Sequence, residues 1–429
     1  MSSYLLPQII CPKDFYKHIN YSFTHEKNKP VIINKTLKKY LNTLKSQIDE
    51  CELAWDKYKK YTNPYEFIHT PVPNARSAIC QYKPLSRSFF KMVEMCHLQD
   101  ILPELPAEKI KSFHLAEGPG GFIEALVYLR KNPADLYYGM TLLEEQNQNV
   151  PGWRKSKQFL SENKNVIIEK GHDGKGDLMN PQNLLHCLKY YKGEFDLITG
   201  DGGFDFSVHY LAQESVSTPL ILCQISFAIA MQKLGGTFII KMFDTCTKIS
   251  VDMLYLLSNL YETVHFTKPH TSRYANSEKY IICKKFKLGE ACRQEMINVL
   301  YKLMVQMQEP QKMQGPIELG PHKEPSSIEA LFDYELPYYF VNKVEEYNAI
   351  FGQQQIENIG NTLNLIDNNK YDKLELIKKN NVQKCIHWCQ QYKLEYNMSV
   401  QPNNIFLMNR PLMSVTIPTP TINNANASL

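Results

Sequence analysis

Apolar residues in the middle of the chain fall into short blocks that alternate with longer segments of helical period. Runs 112–117, 136–141, 166–169, 195–200, 237–243, 263–268 and 279–287 are rich in β-branched and aromatic residues and read as strands. Segments 122–131, 181–191, 213–234 and 250–261 repeat their apolar residues at the spacing of a helix. Such alternation implies right-handed crossovers and a mostly parallel sheet. Too few residues join 263–268 to 279–287 for a crossover, so these two runs should pair as an antiparallel hairpin. The expected fold is α/β, a Rossmann-like doubly wound sheet whose last strand is antiparallel.

Outside that unit the pattern changes. Residues 1–80 are polar and aromatic, with helix-like stretches over 37–61, and Thr70-Pro-Val-Pro-Asn74 breaks any regular element. A helix is expected over 86–96, with Phe89, Phe90 and Met92 apolar and Lys91 and Arg87 on its other sides. Past residue 288 the alternation stops. We therefore divide the chain into a mostly helical extension (1–80), an α/β domain (81–288), a mixed helix and loop region (289–415) and a disordered tail (416–429). Tyr334, Tyr338, Tyr339 and Phe340 read as core packing in preference to base stacking. Cys385-Ile-His387-Trp-Cys389 reads as core and not as a zinc site, because His387 leaves the helix face shared by the two cysteines.

With 429 residues, 43% of them hydrophobic, the chain can bury a substantial core. A net charge of +4 means that affinity for nucleic acid must come from a local basic face. Eleven cysteines without framework spacing suggest reduced thiols in a cytosolic protein. No run approaches the ~18 apolar residues that a membrane span needs, and no signal peptide is apparent, so no membrane partner is expected.

The candidate chemistry collects where strands end. In sheets of this kind ligands bind at the carboxyl ends of the parallel strands. Glu117 and the loop Gly118-Pro-Gly-Gly121 follow the first strand of the alternating unit, Asp201 ends another, and Lys241 lies near the end of 237–243. Glu278 opens the reversed strand, facing the same rim. Lys91 comes from outside the unit and can be delivered only by the fold. A lysine becomes a base when a neighbouring positive charge lowers its proton affinity, so two lysines and two carboxylates suggest deprotonation of a weakly acidic hydroxyl. The chain lacks Gly-x-Gly-x-x-Gly and the Gly-Lys-Ser/Thr phosphate loop. A cofactor without phosphate, such as S-adenosylmethionine, suits the glycine loop better. Asp177 could accept a hydrogen bond from an adenine amine or simply make a turn, and Asp201 in Gly200-Asp-Gly-Gly203 could also be a turn residue.

Four segments carry a family resemblance: His114-Leu-Ala-Glu117-Gly-Pro-Gly-Gly-Phe122, Gly200-Asp-Gly-Gly203, Gly235-Gly-Thr-Phe-Ile-Ile-Lys241-Met-Phe-Asp244 and Lys268-Pro-His-Thr-Ser-Arg273-Tyr-Ala-Asn276-Ser-Glu278. Over residues 60–287 the chain resembles the FtsJ-type RNA ribose 2′-O-methyltransferases. Within them it is most similar to the messenger-RNA cap enzymes, including the Adrift type and related proteins of asfarvirus-like large DNA viruses. The resemblance implies a methyltransferase sheet and a catalytic tetrad of Lys91, Asp201, Lys241 and Glu278. It implies S-adenosylmethionine contacts at Glu117, Gly118, Pro119, Gly120, Gly121, Phe122, Asp177 and Leu178, and no metal. Asn63-Pro-Tyr-Glu66 resembles a segment that meets capped RNA, so Lys59, Arg87, Arg273 and Asn276 become substrate-binding candidates.

His114 stands where the family usually has an acid, and Glu117 where it has a small residue. The stretch from Asn63 to Lys91 is also longer than in typical cap enzymes. The implied activity is 2′-O-methylation of the first transcribed nucleotides of capped RNA, with Lys241 as base, Asp201 orienting it, and Glu278 positioning Lys91 or the hydroxyl. Viral capping or transcription proteins would be partners, and the host cytoplasm, with packaging in the virion, the location. The alternatives are a ribosomal-RNA ribose methyltransferase and a non-catalytic RNA-binding scaffold on the same fold.

Overall fold

A computed structural model describes the chain except for residues 1, 11–13, 24–30, 145–150, 204–211, 309–327, 369–370 and 398–429. The expected tail, 416–429, lies outside the described residues. Strands β1 (Ser2–Leu5) and β2 (Ser22–Phe23) precede helices α1 (Lys35–Ser46), α2 (Glu52–Thr62), α3 (Ser88–Leu98) and α4 (Ile101–Glu104). The alternating unit runs β3 (Lys111–Leu115), α5 (Gly121–Arg130), β4 (Leu136–Met140), α6 (Lys157–Glu162), β5 (Val166–Ile168), α7 (Pro181–Tyr191) and β6 (Phe195–Gly200). It continues with α8 (Gln213–Met231), β7 (Gln232–Met242), α9 (Lys248–Leu260), β8 (Tyr261–Lys268) and β9 (Lys279–Phe286). Then come α10 (Glu290–Gln308), β10 (Ile328–Ala330), α11 (Tyr338–Asn368) and α12 (Tyr371–Gln391).

The main sheet has eight strands in the order β1-β8-β9-β7-β6-β3-β4-β5. Strands β5, β4, β3, β6 and β7 are parallel, and β9 lies antiparallel between β7 and β8. The hairpin inferred from the short connection is therefore present. The order reverses between β3 and β6, and the crevice at the carboxyl ends of that pair is the switch point where such sheets take ligands.

Both faces are covered. Phe195, Ile198, Phe238, Ile240, Ile281 and Cys283 face a core shared with α7, α8, α9, α10 and α11. Leu197, Ile239 and Ile282, one residue out of step, face a core shared with α3, α5 and α12. Burial on two sides explains why these strands read as continuous apolar runs. The segments after residue 289 thus complete both cores of the sheet, and Cys385 and Cys389 are buried in the second. Phe340 is buried against Tyr255, whereas Tyr338 and Tyr339 are exposed, so only part of that aromatic cluster packs inward.

Two expectations are corrected. The helix expected over 213–234 ends at Met231, because Gln232 already pairs with Phe195 and its side chain donates to the Phe195 carbonyl at 2.9 Å. That helix, at 19 residues, is also long and apolar enough to cross a membrane; 78% of its apolar window is buried inside the protein, against the sheet and α10. A periodicity reading treats Ser, Gln and Thr as interruptions, yet Thr218 and Ser226 satisfy their hydroxyls on carbonyls one turn back.

Candidate active site

Three of the expected chemical groups follow from strand register. Asp201 comes one residue after Gly200, which pairs with Leu115 on one side and Ile240 on the other. That puts Asp201 beside Lys241, whose Nζ lies 3.2 Å from Asp201 Oδ1 and donates to the Asp201 carbonyl at 2.7 Å. On β9, Tyr280 pairs directly with Lys241, and Glu278 lies two residues earlier on the same side of the strand.

Lys91 arrives from α3. That helix was expected to show an apolar side and a polar one, but Ser88 through Cys96 are buried all round, Lys91 included. Its Nζ sits 2.6 Å from Glu278 Oε1 and donates to the Tyr280 hydroxyl at 3.2 Å. Tyr280 in turn donates to Asp201 Oδ1 at 2.9 Å. Lys91, Glu278, Tyr280, Asp201 and Lys241 therefore form one continuous polar cluster. Gly121 eases this approach: a Cβ there would lie 2.2 Å from Ser88 Oγ, 2.3 Å from Ser86 Oγ and 3.1 Å from the Phe89 backbone nitrogen, so both hydroxyls and the start of α3 would have to shift.

The electrostatics are uneven. Burial lowers the proton affinity of Lys91, with Glu278 and Asp201 opposing and Arg87 and Lys241 assisting the shift. For Glu278 burial acts upward, but Lys91, Lys241 and Arg87 outweigh it and hold the carboxyl well below the usual range. Burial, followed by Asp201 and Glu278, raises the Tyr280 phenol well above its ordinary value, so it stays a donor. Burial and the nearby Asp201 likewise raise Glu117, against the hydrogen bond from the Phe122 amide.

The loop between β8 and β9 is gripped from three sides. Glu94, one turn beyond Lys91, accepts from the His270 and Thr271 amides at 2.6 and 3.1 Å. Glu66 takes Arg273 in a two-pronged pair, Nε to Oε2 at 2.9 Å and a terminal nitrogen to Oε1 at 2.5 Å. Asn63 Oδ1 accepts from the Tyr274 amide at 3.0 Å, and Tyr65 stacks on His270. Beneath the loop, Lys268 donates to the Asn276 carbonyl at 2.9 Å, to Asn276 Oδ1 at 3.1 Å and to the Glu278 carbonyl at 2.7 Å. Burial pushes Lys268 down to about 7, against the pull of Glu278.

Residues 84–286, which carry this cluster and its loop, match the family described as FtsJ-like methyltransferase. They form an FtsJ-like methyltransferase domain. Cap-specific mRNA (nucleoside-2'-O-)-methyltransferase 2 of Danio rerio is 28% identical over 357 residues, covering 77% of this chain and 43% of that protein. Cap-specific mRNA (nucleoside-2'-O-)-methyltransferase 1 of Danio rerio is 32% identical over 261 residues, 56% of this chain and 30% of that protein. The Homo sapiens protein of the same name is 34% identical over 194 residues, 44% and 23% respectively. The chain spans less than half the length of these curated relatives.

The crevice of the FtsJ-like domain suits a cofactor of the S-adenosylmethionine kind. Glu117 Oε1 accepts the Phe122 amide at 2.5 Å, while Oε2 is buried with no hydrogen-bond partner among the described residues. Gly120, at φ +106°, turns the chain where a side chain would be strained. Gly118 comes within 2.7 Å of the Gly152 carbonyl, measured from the position of a Cβ, so the loop is closely backed. Asp177 Oδ1 accepts the Met179 amide at 2.8 Å, the turn role its sequence allowed, while Leu178 is buried core. His114 is no part of the crevice: it bridges Ser112 and Thr199, each at 2.8 Å, and complete burial pushes it down to about 3.

Two of the substrate candidates, Arg87 and Arg273, share the carboxylate neighbours Glu66 and Glu278. Lys59 is paired with Asp56 on α2, and Arg273 is held by Glu66, so both cations are already engaged. Asn276 Oδ1 accepts from Lys268, which orders the loop. Arg87 begins α3 beside Lys91. Sequence reading missed Tyr280 and Glu94. The spacing Lys91-x-x-Glu94 was the available signal for Glu94, and pairing of Tyr280 opposite Lys241 was visible only in the register.

Proposed function

We propose that the chain is an S-adenosylmethionine-dependent RNA ribose 2′-O-methyltransferase acting on the first transcribed nucleotides of capped messenger RNA. The observation that carries this reading is the hydrogen-bonded cluster of Lys91, Glu278, Tyr280, Asp201 and Lys241 beside the glycine loop. Its similarity to cap-specific enzymes supports the choice of RNA. When bound, S-adenosylmethionine supplies an electrophilic methyl group.

Glu117, the loop Gly118–Phe122, Asp177 and Leu178 would hold the cofactor. Lys241, with 12% of its side chain exposed against 5% for Lys91, is the lysine placed to meet a hydroxyl arriving from solvent and to take its proton. Asp201 fixes Lys241 through both a carboxylate and a carbonyl oxygen. Glu278 and Tyr280 hold Lys91 behind it, so the reacting geometry is set before substrate arrives. Lys241→Ala should abolish methyl transfer while S-adenosylmethionine binding, read by calorimetry, persists. Full activity in that variant removes Lys241 from the mechanism. Equal methylation of capped and uncapped transcripts overturns the cap assignment, and absence of binding heat in the wild type overturns the cofactor.

A further inference from the structure

Lysines are almost never fully buried unless something pairs with them. Lys91 and Lys241 each sit against a carboxylate, Glu278 and Asp201. Lys268, the last residue of β8, is only 3% exposed and forms no ion pair among the described residues. Its ammonium carries three protons, and three oxygens of neutral groups take them: the Asn276 carbonyl at 2.9 Å, Asn276 Oδ1 at 3.1 Å and the Glu278 carbonyl at 2.7 Å. A neutral amine would turn two N–H groups and a lone pair toward the same oxygens, so the grip depends on the proton.

What is gripped is the half of the β8–β9 loop that leads into the cluster. The first half is tied to Glu94, Glu66 and Asn63. In the second half, Gln355 of α11 donates to the Ala275 carbonyl at 2.8 Å and the Ser277 hydroxyl donates to Gln213 at 3.0 Å. Lys268 adds a full charge to these neutral holds. Glu278 passes the hold on. Its carbonyl is fixed by Lys268, while its Oε1 takes Lys91 at 2.6 Å and the Ser272 hydroxyl at 2.8 Å. From Lys91 the contacts run through Tyr280 and Asp201 to Lys241. A misplacement of about 1 Å at reacting atoms costs on the order of 100-fold in rate. The grip is also releasable, because burial pushes the Lys268 proton affinity down to about 7. Glu278 opposes that shift, Lys279 on β9 and Lys91 on α3 assist it, and Asp244 beyond β7 opposes it.

We propose that Lys268 is a positioning residue for methyl transfer, its ammonium holding Asn276 and Glu278 so that Glu278 keeps Lys91 in place. This rests on the methyltransferase reading above. A general base gives activity that rises with pH. Lys268 adds a limb that falls above about 7, as its proton leaves.

The test compares wild type, Lys268→Arg and Lys268→Met from pH 6 to 9, measuring turnover number and KM with capped RNA. Hydrogen exchange over residues 269–278, corrected for the intrinsic rate, gives a reading independent of activity. In the wild type, turnover number and loop protection should both drop roughly 10- to 100-fold across that range, with KM and S-adenosylmethionine affinity unchanged. Arginine keeps its charge throughout, so Lys268→Arg should show no fall. Lys268→Met should be slow already at pH 6 and fall no further.

A Lys268→Met enzyme with the wild-type turnover number and pH profile overturns the inference and leaves the activity standing. An alkaline fall that survives in Lys268→Arg also overturns it and assigns the limb to another group, such as Lys91. Should the wild type methylate no RNA while loop protection still follows Lys268, the activity falls and the loop hold stands. Where neither variant folds, loop protection that stays constant from pH 6 to 9 in the wild type overturns the inference.

Discussion

Replacing Glu278 by Gln separates the electrostatic role of the cluster from its packing. The amide still accepts the Ser272 hydroxyl, now 2.8 Å from Oε1, and fills nearly the same volume. What disappears is the charge 2.6 Å from Lys91 Nζ, in a pair whose side chains are only 5% and 9% exposed. Breaking a buried pair from one side costs about 3–5 kcal/mol. At about 2–4 °C per kcal/mol for a domain of this size, the midpoint should fall by roughly 6–20 °C.

The loss should depend on pH. Burial already places the Lys91 proton affinity below the ordinary value, and Glu278 is the largest influence raising it. Without that charge the folded-state value drops further, while the unfolded lysine stays near about 10.4. Between those two values the unfolded chain binds more protons, so the variant gains stability as pH rises. The gap from wild type should therefore be wider at pH 6 than at pH 9. Adding Lys91→Met removes the stranded charge and should restore most of the midpoint without restoring methyl transfer. Scanning calorimetry of the three proteins at both pH values, beside a methyl-transfer assay, decides the matter. A Glu278→Gln midpoint within about 2 °C of wild type at pH 6 would refute the idea that this pair is buried and mutually dependent.

The other predictions concern the scaffold. Gly121→Ala places a Cβ 2.2 Å from Ser88 Oγ and should cost about 1–3 kcal/mol in urea unfolding while lowering turnover, because α3 must back away from α5. An unchanged midpoint would mean that the two helices part freely. His114 is held neutral, down to about 3, against an unfolded value near 6.5. Between those values the unfolded chain binds the extra proton, so stability should fall on acidification by up to about 1.4 kcal/mol per pH unit below 6.5. His114→Gln should flatten that slope, and identical acid titrations of the two proteins would show that His114 is not the group responsible.

Sequence alone located the crossover unit, the antiparallel close and three of the four tetrad residues at one rim. Asp201, Lys241 and Glu278 were legible because each sits at a strand end, and strand ends follow from local period and turn residues. Local period carries no information about what packs over an element. It could not show that α3 is buried on every side, that β1 adds to the sheet along β8, or that α11 and α12 complete opposite cores. Nor could it place Gln232 in a strand, since its pairing with Phe195 is a contact between distant parts of the chain. The same limit hid Tyr280 and Glu94, and it hid the grip of Asn63 and Glu66 on the β8–β9 loop. Residue type and spacing fixed which groups could do chemistry. Only register and the approach of α3 across Gly121 fixed which of them touch, because short-range electrostatics depends on separations of a few ångströms that no spacing along the chain encodes.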